Sequence, residues 1–185
     1  MFLFLICGNL VQTRANLCKT NMKVAIISYS FSGNTKRACV FLMEKIKEKN
    51  IEAAIFDLKP SREEKKFLLQ CRDAFYKHKI EIQNPVSELN TYDFVIFASP
   101  VWAFTFAPAL RAYLENIKDL TDKKCACFLT YGSGMGKNKA LEELEEILKA
   151  KGARILFSKN IPGSKTKDKE YLEEQFKSLV DIISD

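Results

Sequence analysis

The chain of 185 residues is 47% hydrophobic and 28% charged, the balance of one soluble globular domain with a full core, which excludes a disordered, collagenous or disulfide-stapled chain. Its formal charge of +6 comes from 29 basic against 23 acidic residues, and the basic ones are spread along helical stretches rather than gathered in one arm. Without finger spacing, an RNP-type motif or a basic helix, that charge reads as a solvated surface, so no nucleic-acid partner is expected.

Met1–Cys7 is apolar but lacks a charged n-region and is far too short to span a bilayer, so no membrane association is expected. Residues 8–21 show no usable period, and Met22-Lys23 directly precedes the first clear strand. Residues 1–21 are therefore expected to be an N-terminal extension outside the fold, with a weak signal peptide as the alternative. Residues 22–185 are expected to form the single domain.

From Met22 onward, short apolar runs alternate with amphipathic stretches. Val24–Ile27 reads as a strand buried on both faces. Lys36–Lys49 carries Cys39, Leu42, Met43 and Ile46 at helical spacing, and Ile51–Leu58 is the second strand. Ser61-Arg62-Glu63-Glu64 is a capping box that predicts a helix toward His78. Phe94–Ala98 is the third strand, and Pro108 suits the first position of a helix ending near Ile117. Cys125–Thr130 is the fourth strand, Ala140–Lys151 a helix stopped by Gly152, Arg154–Ser158 the fifth strand and Lys169–Ile183 the closing helix. No hairpin signal separates these units. The alternation predicts a three-layer, doubly wound α/β domain with a five-stranded parallel sheet and helices on both faces.

Six cysteines, Cys7, Cys18, Cys39, Cys71, Cys125 and Cys127, include no CxxC pair, so neither zinc nor another metal is expected. Cys125 and Cys127 fall on one face of a strand and read as small core residues. Scattered thiols of this kind fit a reducing cytoplasm.

In open parallel sheets, ligands bind beyond the carboxyl ends of the strands, at the point where strand order reverses. Three segments directly follow strands. Ser28-Tyr29-Ser30-Phe31-Ser32-Gly33-Asn34-Thr35 offers hydroxyls and an amide around one glycine, where free backbone N–H groups and a helix dipole converge. That is an anion cradle suited to phosphate, the alternative being a serine-rich helix cap that binds nothing. Ala98–Pro108 contains the only tryptophan, Trp102, with Phe104 and Phe106, which either wall a ligand or cap the core. Thr130-Tyr131-Gly132-Ser133-Gly134-Met135-Gly136-Lys137 has glycines that allow close approach of backbone to a ligand, or simply make a turn. It is neither a P-loop, since Asn138 follows Lys137, nor a dinucleotide fingerprint, which would follow the first strand.

Ser30-x-Ser32-Gly33-Asn34-Thr35 resembles the FMN phosphate loop of flavodoxins, [ST]-x-[ST]-G-[NT]-T. Ser99-Pro100-Val101-Trp102 is similar to the loop after the third strand in flavodoxin-like proteins and related NAD(P)H-dependent quinone reductases. All three loops fall in the right order over about Met22 to Asp185. The resemblance implies a flavodoxin-like sheet of order 2-1-3-4-5 and FMN as cofactor. It implies that Ser30, Phe31, Ser32, Gly33, Asn34 and Thr35 hold the phosphate, and that Ser99, Pro100, Val101, Trp102, Ala103 and Phe104 line one side of the flavin. Tyr131, Gly132, Ser133 and Gly134 would line the other.

Flavodoxins proper are acidic, whereas this chain is basic and its three loops carry no carboxylate. With Lys137 nearby, the reduced flavin is expected to be less strongly reducing than in an acidic flavodoxin. The first functional reading is an FMN protein carrying electrons between protein partners. The alternative is an NAD(P)H-dependent quinone or flavin reductase with the Trp102–Phe106 segment over the ring. A third is a flavin-free interaction domain. His78, the sole histidine, is far from the loops in sequence, and no catalytic acid or base is assigned.

Overall fold

The computed structural model describes residues 22–61, 81–83 and 89–185. The helix expected beyond Ser61, with Cys71 and His78, lies outside the described residues, as do residues 1–21 and therefore Cys7 and Cys18.

The described elements follow the expected alternation. They are β1 (Lys23–Ser28), α1 (Asn34–Glu48), β2 (Glu52–Asp57), β3 (Phe94–Trp102), β4 (Thr105–Phe106), α2 (Pro108–Asn116), β5 (Lys124–Tyr131), α3 (Lys137–Ala150), β6 (Arg154–Pro162) and α4 (Lys169–Ser184). The sheet runs β2-β1-β3-β5-β6, every neighbouring pair parallel, with β4 paired to β3 off this path. Counting only the parallel strands, this is the order 2-1-3-4-5, and the reversal beside β1 creates the switch point.

The apolar runs become the central strands because a parallel strand between two helix layers has no wet face. Ile27, Val95, Phe97, Cys125 and Cys127 pack toward α2 and α3 with Leu110, Tyr113, Leu144 and Leu148. Val24, Ile26, Phe94, Ile96 and Phe128 pack the other way, against Leu42 and Ile46 of α1 and Phe176 and Leu179 of α4. The rings of Phe128 and Phe176 meet edge to face at 5.1 Å. Cys125 and Cys127 share one face, as their alternation predicted, and both are fully buried. Each large apolar side chain so buried contributes about 1.5–3 kcal/mol.

The chain departs from the expected pattern after Ala98. Strand β3 continues through Ser99, Pro100, Val101 and Trp102, then turns back as β4, pairing Val101 with Phe106 and Trp102 with Thr105. The turn is Ala103-Phe104, with φ of 44° and 68°. A two-residue hairpin with positive φ at both positions favours Asn-Gly or Gly-Gly, so Ala-Phe carries no sequence signal for one. Tertiary packing imposes it. Gly136 lies so close that a Cβ there would stand 2.4 Å from Phe104 Cδ1 and 2.7 Å from Phe104 Cα.

Candidate functional site

The cradle is assembled at the carboxyl end of β1. Ser28 Oγ donates to Asp57 Oδ1 at 2.9 Å, and Lys36 Nζ donates to Asp57 Oδ2 at 3.0 Å, tying the end of β2 to the first turn of α1. That hydrogen bond, backed by the carboxylate's charge, raises the Lys36 pKa. Burial pushes the neighbouring Cys39 thiol up, so it is inert at neutral pH. Gly33 caps α1 with φ of 82° and no side-chain hydrogen bond, and the first helical bond joins Arg37 N to Gly33 O at 3.0 Å. The amides of Asn34, Thr35 and Lys36 precede that bond and lie at the positive end of the helix dipole.

The side chains of the cradle divide into two kinds. Ser30 Oγ is buried and has no hydrogen-bond partner among the described residues, while Ser32 is exposed. Thr35 is buried, with its hydroxyl 2.8 Å from that of Thr130 at the end of β5. Asn34 Oδ1 accepts from Arg37 and, at 3.3 Å, from Thr166 Oγ1. The turn Gly163–Lys165 presses against it, since a Cβ on Gly163 would stand 2.7 Å from Asn34 Nδ2.

On the second side, Ser99 is buried and works on its own loop. Its Oγ accepts from Ala107 N at 3.0 Å and donates to Pro100 O at 3.2 Å, fixing the start of α2 under β3. Trp102 is 6% exposed and belongs to the core cluster, its ring edge-on to Tyr29 at 5.6 Å and to Phe31 at 5.8 Å. Trp102 therefore supports the wall from beneath and Phe31 takes the outer position. Pro100, Val101 and Ala103 are half-buried, and Phe104 stands out at the turn. On the third side, Lys137 Nζ sits 4.5 Å above the Tyr131 ring and 3.4 Å from its hydroxyl. Gly134, with φ of 80°, packs by that ring, and Gly132 and Ser133 are exposed. Among the described residues, the large apolar side chains left exposed are Phe31, Phe104 and Met135, one in each loop.

The model for NADPH-dependent FMN reductases matches residues 22–165. The chain belongs to the NADPH-dependent FMN reductase family. Solved structures similar to this family member include a flavoprotein from Lactobacillus acidophilus NCFM in complex with FMN, at 22% identity, TM-score 0.60, covering 80% of this chain and 99% of that one. A flavodoxin variant from Pseudomonas aeruginosa matches at 15% identity, TM-score 0.61, over 89% of this chain and 100% of that one. Two-electron reduced Megasphaera elsdenii flavodoxin matches at 15%, TM-score 0.55, over 75% and 85%. These likenesses show the flavodoxin fold. No protein with a curated description matches the chain significantly.

FMN is the cofactor of this family, and the residues present fit its two ends. The orphaned Ser30 hydroxyl and the uncapped first turn of α1 lack the acceptor that a phosphate supplies. The exposed Phe31, Phe104 and Met135 offer apolar surface to a flat ring. Sequence reasoning did not single out Asp57, Gly163 or Thr166, which brace the cradle from the ends of other strands. Gly163 and Thr166 follow the last strand, and that position was the available signal. No helix among the described residues is long and apolar enough to cross a membrane.

Proposed function

We propose that the protein is an NAD(P)H-dependent FMN reductase acting on a quinone or free flavin. FMN supplies the two-electron redox chemistry when bound. The hydroxyls of Ser30 and Ser32, with the amides at the start of α1, that of Thr35 among them, hold its phosphate. Phe31, Trp102 and Phe104 on one side and Tyr131, Gly132, Ser133 and Gly134 on the other flank its ring. Asn34 is locked to the β6–α4 turn, which keeps the cradle in place before any ligand arrives. Ser99 and Gly136 hold the β3–β4 turn, and so fix where Phe104 stands. Lys137, over the Tyr131 ring, favours negative charge nearby and makes the reduced flavin a milder reductant. No side chain is assigned acid–base chemistry.

The observation that carries this reading is the exposure of one apolar side chain from each of the three loops around an unfilled phosphate cradle, in a chain of this family. A site open on this scale suits a donor and an acceptor that visit the same ring in turn. Buried, unpaired thiols suit a reducing cytoplasm, where we place the protein.

The same apolar rim favours a second reading, an FMN carrier that docks on protein partners. The unpartnered Ser30 hydroxyl counts against a flavin-free interaction domain. Anaerobic mixing of the FMN-loaded protein with NADPH separates the first two. Bleaching of the flavin absorbance by NADPH alone, with turnover on a quinone, supports the reductase. An oxidised spectrum that bleaches only when a partner reductase is added overturns it in favour of the carrier.

A further inference from the structure

Strand β4 has two residues, so its backbone pairing with β3 is slight, and the left-handed Ala103-Phe104 turn before it needs other support. Side chains provide it. Thr105 directly follows the turn, and its hydroxyl accepts from Arg111 Nη2 at 2.6 Å and donates to Glu143 Oε2. Arg111 Nη2 also lies 3.0 Å from Glu143 Oε1, so each carboxylate oxygen has a partner and the triad closes on itself. Arg111 and Thr105 are buried, and their neighbours Phe106, Leu110, Ala140 and Leu144 belong to the apolar cluster between α2, α3 and the sheet.

Charge is an unusual way to join three elements inside such a cluster. Taking an ion pair out of water costs about as much as the pairing returns, and apolar side chains of similar volume would hold β4, α2 and α3 together as well or better. What they would lack is direction. A hydroxyl that accepts from one fixed group and donates to another has a single orientation, which fixes Thr105 and the turn before it in one place on α3. Helix α3 meets the turn again two helical turns earlier, at its cap Gly136, where a Cβ would stand 2.4 Å from Phe104 Cδ1. Gly136 ends the loop after β5, so α3 joins that loop and the β3–β4 turn into one piece. Phe104 is held at its base and still exposed.

We propose that Arg111 and Glu143 are positioning residues for the electron acceptor: acting through Thr105, they hold Phe104 at one height beside the flavin, where a flat aromatic acceptor stacks against it. The role rests on the reductase reading above. Without the triad the turn is held loosely, and a stacking acceptor loses its wall, whereas a small inorganic oxidant that needs no stacking is less affected.

The test replaces the triad by apolar residues of similar volume, Thr105→Val/Arg111→Met/Glu143→Leu, which is expected to leave the urea midpoint the same or higher. In the ligand-free protein, amide hydrogen exchange across 101–107 should run about tenfold faster or more, with that of α4 no faster. In the FMN-loaded protein reduced by NADPH, the ratio of kcat/KM for a naphthoquinone to that for ferricyanide should fall about threefold or more. Phe104→Ala alone should lower the ratio similarly, and adding it to the triad variant should lower it no further, because the triad acts through that ring. Unchanged exchange in the turn overturns the proposal, as does an unchanged ratio, or effects of the triad and of Phe104 that multiply. If the triple variant does not fold, Glu143→Gln, which keeps the shape and removes the charge, takes its place in every comparison. If the unmodified protein takes no electrons from NADPH, the reductase reading falls on that result. Reoxidation of the dithionite-reduced protein by the same two acceptors then decides the triad alone, and an equal rate ratio in variant and unmodified protein overturns it.

Discussion

Ser30 and Thr35 lie five positions apart in one loop, yet their hydroxyls are treated differently by the fold. Thr35 shares a buried hydrogen bond with Thr130, whereas Ser30 Oγ is buried with no partner among the described residues. Burying a hydroxyl without a partner costs about 1–3 kcal/mol, so Ser30 weakens the ligand-free protein and should gain most when phosphate arrives. Ser30→Ala is expected to leave the ligand-free protein as stable or up to about 1 kcal/mol more stable, while FMN affinity falls about 10- to 100-fold. Urea denaturation without FMN, paired with a fluorescence titration, checks both signs. A loss of stability would show that Ser30 is part of the scaffold. Trp102 illustrates the reverse. Its isolation as the only tryptophan, in a loop, suggested a flavin wall, but its 6% exposure and contacts with Tyr29 and Phe31 make it a core residue as well. Trp102→Ala should therefore cost about 3–5 kcal/mol in thermal or urea unfolding, whatever it does to the flavin spectrum. An unchanged midpoint would mean that the ring carries little packing. The residue types of the cradle were legible because phosphate recognition needs hydroxyls and a glycine at a helix start. Which hydroxyl is spent within the fold was not, because Thr130 is 95 positions from Thr35.

The β3–β4 hairpin is the element that sequence patterning could not find, and its cause lies in α2, α3 and the glycine that precedes α3. Residues with positive φ outside glycine cost about 1–3 kcal/mol each, and Ala103-Phe104 supplies two in succession. What holds them is beneath the turn. Arg111 of α2 donates to Thr105 Oγ1 at 2.6 Å and pairs with Glu143 of α3 at 3.0 Å, while Thr105 also donates to Glu143. The Arg111 guanidinium lies 4.5 Å from the Phe106 ring centre. This polar network clamps β4 between α2 and α3, and Gly136 supplies the clearance above it. Gly136→Ala combines positive φ of 72° with contacts under 3 Å to Phe104, including its backbone, so relaxation must move the turn. A loss of about 2–4 kcal/mol is expected, with weaker FMN binding if Phe104 faces the ring. Denaturation and FMN titration of the same variant separate these two effects. Full stability would mean that the turn moves aside at no cost and that no strain is stored there. The main elements, by contrast, were readable from their periods, since amphipathic helices and doubly buried strands each impose a repeat that survives without tertiary knowledge.

At the scale of the molecule, a parallel sheet with helices on both faces follows from strands alternating with helices, whereas the order β2-β1-β3-β5-β6 could be anticipated only from the resemblance of the loops to flavodoxin-like proteins. A consequence of two sealed helix–sheet interfaces is that ionisable groups are trapped inside them. Burial pushes the Cys125 thiol up to about 12, and raises Cys39, Cys127 and the Tyr113 phenol in the same direction. For each thiol the folded state keeps a proton that the unfolded chain begins to release near pH ~8.5. The stability contributed by holding these groups neutral is thus fully present below about pH 8.5 and declines as the pH rises from there toward the folded values. Each group adds at most about 1.4 kcal/mol of loss per pH unit. The urea midpoint should be level between about pH 7 and 8 and lower at about pH 10. Lysines also begin to titrate there, so the comparison that isolates the thiols is Cys127→Ala. Smaller at neutral pH because a cavity opens in the face shared with Cys125, its stability should fall less between the two pH values than that of the unmodified protein. Parallel losses in the two proteins would mean that Cys127 ionises as easily folded as unfolded, and that the interface between β5 and α3 admits water.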